Sequence, residues 1–306
     1  MVDVKALRHL VVLCAHRHFG RAAASLGISQ PALSKSIQRL EAALGTKLLE
    51  RTSGDVRPNG VGEEVLRRAR TVLGGVNELE REVALMLGLS KGRLDVGIGP
   101  AMAESEVVTA IARFVERHPN IHVELRVAHW TQLSEWLLDR QLDLFVADIT
   151  EAQGDKRFHC TQLPGERLVW FCRGEHELAA KARVTRRDLL RFPIASPRMP
   201  RWAQDWIELA STTPQSGNAN ASRFAGTVEC ENYSVLKRIV RSSNCVSAAL
   251  ASTISAEIAE GQLVPLSVRS STLQTQAGIV TLRQRSLSPL AQTLIAEIKS
   301  PARQKG

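Results

Sequence analysis

The chain has 306 residues, of which 44% are hydrophobic and 23% charged, and it carries a formal net charge of +9. A single domain usually holds roughly 100–200 residues, so this length predicts two or three compact units with ordinary apolar cores. The sequence has neither a basic-then-apolar leader nor a run of about 20 apolar residues, so we expect a cytoplasmic protein that does not enter a membrane. The net positive charge favours a polyanionic partner.

Charge distribution and cysteine usage narrow the class further. Residues 1–70 carry twelve Lys or Arg against six Asp or Glu, so most of the net positive charge lies in the first quarter of the chain. The cysteines are odd in number, scattered and without a C-x-x-C pair: Cys14, Cys160, Cys172, Cys230 and Cys245. This pattern argues against a disulfide framework or a zinc site and predicts buried, reduced thiols. A redox pair of Cys230 and Cys245 is the alternative.

Short helices open the chain. An apolar stripe predicts a helix over residues 4–16, and the stretch GRAAASLGISQPALSKSIQRLE, residues 20–41, predicts two more, with Gly27 at the tight exit between them. In the last of these, the residues expected to face the core are Leu33, Ile37, Leu40 and Leu44. Extended segments at 47–51 and 56–58, joined by turn residues 53–55, predict a hairpin.

A long helix is predicted from residue 62 to about residue 89. Its apolar positions are spaced alternately by four and three residues, as in a coiled-coil seam: Val65, Ala69, Val72, Val76, Leu79, Val83 and Met86. Such a seam predicts pairing with a second copy of the chain. Gly74 and Gly75 should weaken this helix by on the order of 1 kcal/mol each, and an intramolecular packed helix is the alternative.

From about residue 92 strands and helices alternate. Strand patterns at 94–98, 121–127 and 142–147 are separated by helical stripes, which is typical of a parallel α/β sheet. Similar alternation continues to a last helix that begins at Ser288 and Pro289, an N-cap followed by proline. About 215 residues of α/β structure exceed one sheet, so we expect two lobes with a cleft between them.

The polar residues of the opening stretch have a chemistry suited to base reading. Gln30, Ser34 and Gln38 form one stripe at the start of the helix, and Lys35 lies beyond it. Glutamine pairs with adenine, and lysine reaches guanine acceptors or phosphate, so a helix of this kind fits the major groove. A solvated helix face is the alternative.

These residues resemble a known family. The segment LRHLVVLCAHRHFGRAAASLGISQPALSKSIQRLEAALGTKLLERT, residues 7–52, is similar to the winged helix-turn-helix of the LysR-type transcriptional regulators. The resemblance implies an α/β fold class with an N-terminal winged helix-turn-helix, a long linker helix and a two-lobed, periplasmic-binding-protein-like effector domain. The corresponding ranges are 1–60, 61–90 and 91–306, with lobe I at about 91–161 and 267–300 and lobe II at about 162–266.

The resemblance also implies partners. We expect a sequence-specific regulator that binds double-stranded promoter DNA and responds to a small-molecule co-inducer, with an anion as one candidate. It should self-associate through the linker helix as a dimer, commonly a dimer of dimers, and it can contact RNA polymerase. The expected DNA-binding residues are Ser29, Gln30, Pro31, Ser34, Lys35, Gln38, Arg51 and Arg57. The wing tip carries Gly54 and Asp55 where many members have a basic residue, which leaves Arg51 and Arg57 as backbone contacts.

By the same resemblance the effector cleft lies at strand ends that precede helices. The expected effector-binding residues are Ala101, Met102, Trp130, Thr131, Ser196 and Arg198. Helix N-termini favour an anionic group, which Thr131 or Ser196 would hold by hydrogen bonds. The turn at residues 243–245 is expected to line the same cleft.

Two other classes of protein remain as alternatives. An enzyme or a solute-binding protein built on the α/β lobes would not need a basic helix-turn-helix, and an architectural DNA protein would not need the lobes. Gly97-Ile98-Gly99 begins like a dinucleotide motif but continues with Met102, and Gly-x-Ser-x-Gly is absent. We therefore expect no catalytic residue, no cofactor and no metal ion.

Overall fold

The computed structural model describes residues 1–52, 55–86, 92–208, 227–268 and 274–300. The chain divides into two units, one formed by Met1–Gly92 with Glu135–Leu142 and the other by Arg93–Ser134 with Asp143–Gly306. None of the helices within these described ranges is long and apolar enough to cross a membrane.

The first unit contains a helix-turn-helix followed by a hairpin and a long helix. Its elements are α1 Val4–His16, α2 Phe19–Ser25, α3 Gln30–Leu44, β1 Leu49–Thr52, β2 Asp55–Pro58 and α4 Gly60–Met86. Side chains cap the helix starts: Asp3 accepts from the backbone N–H of Lys5, and Ser29 from that of Ala32. The helices and hairpin expected in this region are confirmed, because their signals are local in sequence.

The core of the first unit draws on every one of these elements. Leu33, Ile37 and Leu40 are buried, as predicted, and pack with Leu10 of α1 and Leu48 before β1. Leu44 is 38% exposed, so the prediction that it faces the core is wrong. The reason is that α3 ends there and Gly45, with φ +70°, turns the chain away. Gly27 has φ +66°, which confirms the tight exit expected after α2.

The predicted seam on α4 divides into two parts. Val65 and Ala69 pack into the core of the first unit. Val72, Leu79 and Val83 are 46%, 61% and 45% exposed, so this part of the stripe has an open apolar face. The side chain of Met86 lies outside the described residues.

The glycine pair of α4 has a packing role. The helix runs through both glycines without interruption, and Gly74 is buried. A Cβ at Gly74 would lie 2.4 Å from Cβ and 2.8 Å from the carbonyl oxygen of Arg140, whereas one at Gly75 would meet only Arg140 Nη1 at 3.6 Å. Glycine at position 74 therefore permits a close approach of α4 to the turn around Arg140 within the first unit.

The remaining elements alternate as expected. They are β3 Arg93–Ile98, α5 Glu106–Arg117, β4 His122–Val127, α6 Trp130–Leu138, β5 Leu144–Asp148, β6 Phe158–Gln162, β7 Leu168–Arg173, α7 Arg186–Leu189, β8 Ile194–Ser196, α8 Arg201–Glu208, β9 Thr227–Glu229, α9 Tyr233–Arg241, β10 Ser247–Leu250, α10 Ser255–Ala259, β11 Leu263–Pro265, β12 Ala277–Leu282 and α11 Pro289–Lys299. Ser288 caps α11 by accepting from the backbone N–H of Ala291, which confirms the predicted start of that helix.

Lobe I is built on a mixed five-stranded sheet with the order β4-β3-β5-β12-β6. Strand β3 is parallel to β4 and β5, which confirms the parallel arrangement predicted for these three strands, whereas β12 is antiparallel to β5 and β6. The reason lies in the chain path. Strand β6 leads out into lobe II, and β12 returns from it beside the same end of β6, where Gly278 pairs with Gln162.

Lobe II contains an antiparallel sheet of order β10-β7-β11 and a parallel pair of strands, β8 and β9. A bridge between Ile194 and Val246 connects the pair to the sheet. Strand β7 separates two cores, with Trp170 and Cys172 in one and Phe171 in the other, as the alternation of a strand requires.

The exact domain and lobe limits proposed from the sequence stay predictions.

Candidate DNA-binding surface and effector pocket

The first turns of α3 present polar side chains to the surface. Five of these residues are exposed: Ser29, Gln30, Pro31, Lys35 and Gln38. Ser34, on the same stripe, is half-buried. Pro31 lies in the first turn, where its missing N–H costs nothing, and the Ser29 hydroxyl accepts from the N–H of Ala32 at 3.4 Å. The structure thus brings six of the expected DNA-binding residues onto one helix start.

The wing carries an internal ion pair. Arg57 Nε donates to Asp55 Oδ2 at 2.6 Å, and Glu50 lies opposite Arg57 in the β1–β2 register. The acidic residue near the tip therefore partly neutralises the arginine that was expected to contact the DNA backbone. The side chain of Arg51 and the tip residue Gly54 lie outside the described residues.

Two polar contacts that were not predicted from the sequence hold α3 in place. His9 of α1 lies with Nδ1 2.8 Å from the hydroxyl of Ser36, and burial, assisted by Lys5, lowers the pKa of His9. Glu41, only 4% exposed, accepts from the backbone N–H of Leu48 at 2.9 Å and from Lys47 Nζ at 3.0 Å. Glu41 follows Ile37 by four residues, so its place on the core face could have been noticed.

The electrostatics of Glu41 favour its charged form. Burial opposes ionisation, but the hydrogen bonds from Leu48 and Lys47 hold the pKa of Glu41 below its ordinary value. An ionised Glu41 therefore links the end of α3 to the segment that enters the wing.

A pocket of about 130 Å³, open on one side to solvent, lies between the two α/β lobes. Lobe I contributes Ala101, Met102, Trp130 and Asp148, and lobe II contributes residues of β7, β8 and α8. Four of the five tryptophans of the chain line it: Trp130, Trp170, Trp202 and Trp206. The walls are therefore mainly aromatic and apolar, as in many small-molecule sites.

The structure brings most of the expected effector residues to this pocket. Its lining includes Ala101, Met102, Trp130, Ser196 and Arg198. Thr131 is not among the described lining residues, and its hydroxyl lies 3.0 Å from His129 Nδ1. Residues 243–245, expected to line the same cleft, are likewise not among the described lining residues. In that turn the side-chain oxygen of Asn244 accepts from Arg173 at 2.9 Å.

His129 is a pocket residue whose state is determined by its neighbours. The backbone N–H of Thr131 donates to His129 Nδ1 at 3.3 Å, so in the neutral ring the proton lies on Nε2. Burial and the nearby Arg198 lower the pKa of His129 to about 4, so the ring is uncharged at neutral pH. Within the described part of the chain, Nε2 is buried and has no hydrogen-bond acceptor.

Among the described residues, some of the other polar groups of the pocket have hydrogen-bond partners within the protein and others do not. Tyr233 donates from its hydroxyl to the carbonyl of Ala248 at 3.0 Å. Asp148 accepts from the backbone N–H groups of Thr150 and Gln276 at 3.0 and 3.3 Å. The indole N–H groups of Trp170 and Trp202 are buried and, among the residues that the structure describes, have no acceptor.

Two family models together span almost the whole chain. Residues 4–63 match the bacterial regulatory helix-turn-helix protein of the lysR family, and residues 87–302 match the LysR substrate binding domain. The chain belongs to the LysR family. It is therefore a LysR-type transcriptional regulator with a DNA-binding helix-turn-helix and a substrate-binding domain that binds a co-inducer, and it is not an enzyme.

Relatives of this LysR-type regulator agree in length. The SDS degradation transcriptional activation protein of a Pseudomonas species is 36% identical over 96% of this chain and 94% of its own length. The crystal structure of CbnR, a LysR family transcriptional regulator, has a TM-score of 0.69 at 18% identity and covers 97% of this chain and 98% of its own. CbnR in complex with its target DNA gives the same TM-score. At this identity the two structures support the fold.

Proposed function

We propose that this regulator reads a promoter through the exposed start of α3. The observation that carries the proposal is the exposure of Gln30, Lys35 and Gln38 on a helix that the core of the first unit holds firmly. Gln30 is assigned to adenine, Lys35 to guanine or phosphate, and Ser29 and Ser34 to either role. Pro31 lies against the groove wall, and Arg51 and Arg57 contact backbone phosphates.

Self-association through α4 is part of this proposal. The open apolar stripe of Val72, Leu79 and Val83 supports pairing of α4 with a second copy, as a dimer and further as a dimer of dimers. The regulator acts in the cytoplasm, where a dimer presents two α3 helices to the two half-sites of a promoter. Contact with RNA polymerase would follow from binding next to a promoter.

The co-inducer is proposed to be an organic anion that binds in the tryptophan-lined pocket. Arg198 supplies a positive charge at the exposed part of the lining. The Pseudomonas relative is named for transcriptional activation of SDS degradation, and SDS is an alkyl sulfate. An alkyl sulfate is therefore the first ligand class to test.

The DNA part is tested by fluorescence anisotropy with the DNA upstream of the regulator's own coding sequence. We expect specific binding that weakens steeply as salt rises, because Lys and Arg contacts release counterions from the phosphates. A random fragment of equal length is the control. Equal affinity for both fragments would contradict sequence-specific reading.

The oligomer part is tested by sedimentation of two charge variants of α4. Leu79→Lys places a charge on the open apolar stripe and should shift the protein to monomers. Asn77→Lys adds the same charge at a neighbouring exposed position outside the stripe and should leave assembly unchanged. Equal behaviour of the two variants would argue against α4 pairing.

A further inference from the structure

A second basic segment lies in lobe II, far along the chain from the helix-turn-helix. Residues 181–201 carry seven Lys or Arg against one Asp, a net charge of +6. Twelve Lys or Arg against six Asp or Glu give residues 1–70 the same net charge, whereas the whole chain carries +9, so the remaining residues are acidic in sum. The positive charge is therefore concentrated in two segments, of which only the first is assigned to DNA.

Two cations of the second segment have partners within lobe II. Lys181 Nζ donates to Asp188 Oδ1 at 2.8 Å, and the guanidinium of Arg186 lies 4.3 Å from the centre of the Trp206 ring. Asp188 also accepts from the hydroxyl and the backbone N–H of Thr185, at 2.7 and 2.9 Å. The bonds from Lys181 and Thr185 hold the pKa of Asp188 well below its ordinary value. The only acidic residue of the segment is thus engaged locally and neutralises only Lys181.

Three further arginines of residues 181–191 are exposed: Arg183, Arg187 and Arg191. Within the described part of the chain, no acidic side chain pairs with any of them. Arg187 and Arg191 are four residues apart on a turn that continues past α7, where the N–H of Arg191 donates to the carbonyl of Asp188 at 3.3 Å. Their side chains therefore lie on the same side of that turn. We call the three arginines the lobe II basic surface.

Buried neighbours hold this surface in place. Val184 and Leu189 are buried in a core of lobe II. The backbone N–H of Val184 donates to the carbonyl of Ser267 at 2.9 Å, and Thr185 caps the start of α7. The backbone that carries the arginines is therefore ordered before a partner binds, so binding immobilises only side chains.

The composition of the surface separates a nucleic acid from a protein partner. Protein–protein interfaces usually have aromatic or other apolar anchors at their centre. No large apolar side chain is among the exposed residues of 181–191, which are Lys181, Ala182, Arg183, Thr185, Arg187 and Arg191. Protein–DNA interfaces are instead polar and strongly positive, and most of their hydrogen bonds go to phosphate and sugar. Arginine suits phosphate because its planar guanidinium can donate two parallel hydrogen bonds.

We propose that the lobe II basic surface binds the phosphates of duplex DNA outside the bases that α3 reads. Arg183, Arg187 and Arg191 each donate to phosphate oxygens. Phosphates carry no sequence information, so this contact adds affinity without base preference. It supplements the wing, where Asp55 pairs with Arg57. DNA binding then has two parts, a sequence-reading contact from α3 and a sequence-independent contact from lobe II.

The contact is tested on the full-length protein with two matched double variants. Arg187→Gln with Arg191→Gln removes two charges from the surface, whereas Arg238→Gln with Arg241→Gln removes two exposed arginines from α9 of the same lobe. Anisotropy with a long random duplex measures the affinity at several salt concentrations. Each phosphate contact contributes about 0.9 to the slope of log affinity against log salt. The slope should therefore become shallower by roughly 2 in the surface variant and stay unchanged in the α9 variant.

Charge and sequence preference provide two further readouts. Arg187→Lys with Arg191→Lys keeps both charges and should retain most of the salt slope. In the Gln variant, affinity for the upstream promoter fragment and for the random duplex should fall by the same factor, because phosphate contacts are independent of sequence. Thermal unfolding of each variant checks that the fold is retained.

Three results would overturn the proposal. An unchanged slope in the surface variant would show that lobe II does not contact DNA, and an equally reduced slope in the α9 variant would show that only net charge acts. Unchanged DNA binding together with reduced transcription by purified polymerase would assign the surface to an acidic protein. The discrimination of Gln30→Ala between promoter and random DNA tests the reading by α3 separately.

Discussion

The helix-turn-helix and the pocket treat their polar groups in opposite ways. On α3 the side chains proposed to read DNA are exposed, and the buried Glu41 beneath them is hydrogen-bonded. In the pocket the N–H groups of Trp170 and His129 are buried without an acceptor in the described residues. Water solvates a DNA-reading surface until DNA displaces it, whereas polar groups buried around the pocket are shielded from water by the packing of its aromatic wall.

The largest expected change in stability comes from breaking the satisfied network at Glu41. Glu41→Ala leaves the buried N–H of Leu48 without its acceptor and should lower the free energy of unfolding by about 2–3 kcal/mol. Urea denaturation measures this. Glu64→Ala is the control, because Glu64 is exposed and water screens its ion pairs with Arg67 and Arg68, so stability should not change measurably.

The same carboxylate should make stability depend on pH. Since the folded-state pKa of Glu41 is lowered, its contribution is complete above the unfolded value of about 4.3 and is lost as the pH falls through the folded value. The difference in unfolding free energy between the wild type and Glu41→Gln should therefore shrink between pH 6 and pH 3. A difference that grows toward low pH would contradict the assigned hydrogen bonds.

The glycine pair of α4 tests close packing in the first unit. Gly74→Ala places a Cβ 2.4 Å from Cβ of Arg140 and should destabilise the protein by about 1–3 kcal/mol. Gly75→Ala meets only an ordinary contact and should be neutral or stabilise by up to about 1 kcal/mol through helix propensity. Thermal unfolding of both variants decides this, and equal effects would exclude the close approach.

A substitution in the aromatic wall of the pocket should also lower stability. Trp170→Phe removes the N–H and the smaller ring of the buried indole, and the space left in the core should lower the free energy of unfolding by about 1–3 kcal/mol. Urea denaturation provides the measurement. Unchanged stability would mean that the surrounding core closes around the smaller side chain.

Gln30→Ala should have the smallest effect on stability, within about 0.5 kcal/mol, because the side chain is exposed. Its discrimination between promoter and random DNA should nevertheless fall by roughly tenfold to a hundredfold. Arg57→Ala, a matched change in the wing, should weaken binding to both DNA fragments alike. Anisotropy with the two fragments measures both, and an unaltered preference in Gln30→Ala would remove Gln30 from base reading.

Sequence and structure agree most closely where the signals are local. The helix over residues 4–16, the cap at Ser288 and the positive φ of Gly27 follow from residues within a few positions of one another. The exposed stripe on α3 could be predicted for the same reason, since helical periodicity separates a core face from an open face. Leu44 departs from this rule because the helix ends before another element can cover it.

The effector pocket was predicted in outline only. The family resemblance places Ala101 and Ser196 at strand ends that line the cleft. The sequence pattern around Trp170, by contrast, predicts only a core residue of a strand. Nothing near it in sequence indicates that Trp130 and Trp202, from other elements, line the same cavity. Likewise, the sequence predicts only that Gly74 weakens the helix. The close approach of Arg140, which requires a glycine there, involves a residue far away along the chain.

The sequence by itself therefore determined the helix-turn-helix, its exposed polar stripe and the alternation that builds two lobes, because these depend on short-range periodicity, capping and turn chemistry. Only the tertiary structure decided that β12 runs antiparallel, that Glu41 bonds to Leu48 and that four tryptophans share one pocket. The strand direction and the pocket join residues far apart along the chain, whereas the Glu41 bond needs the segment after α3 to fold back onto the helix. All three depend on burial and contacts that exist only in the folded protein.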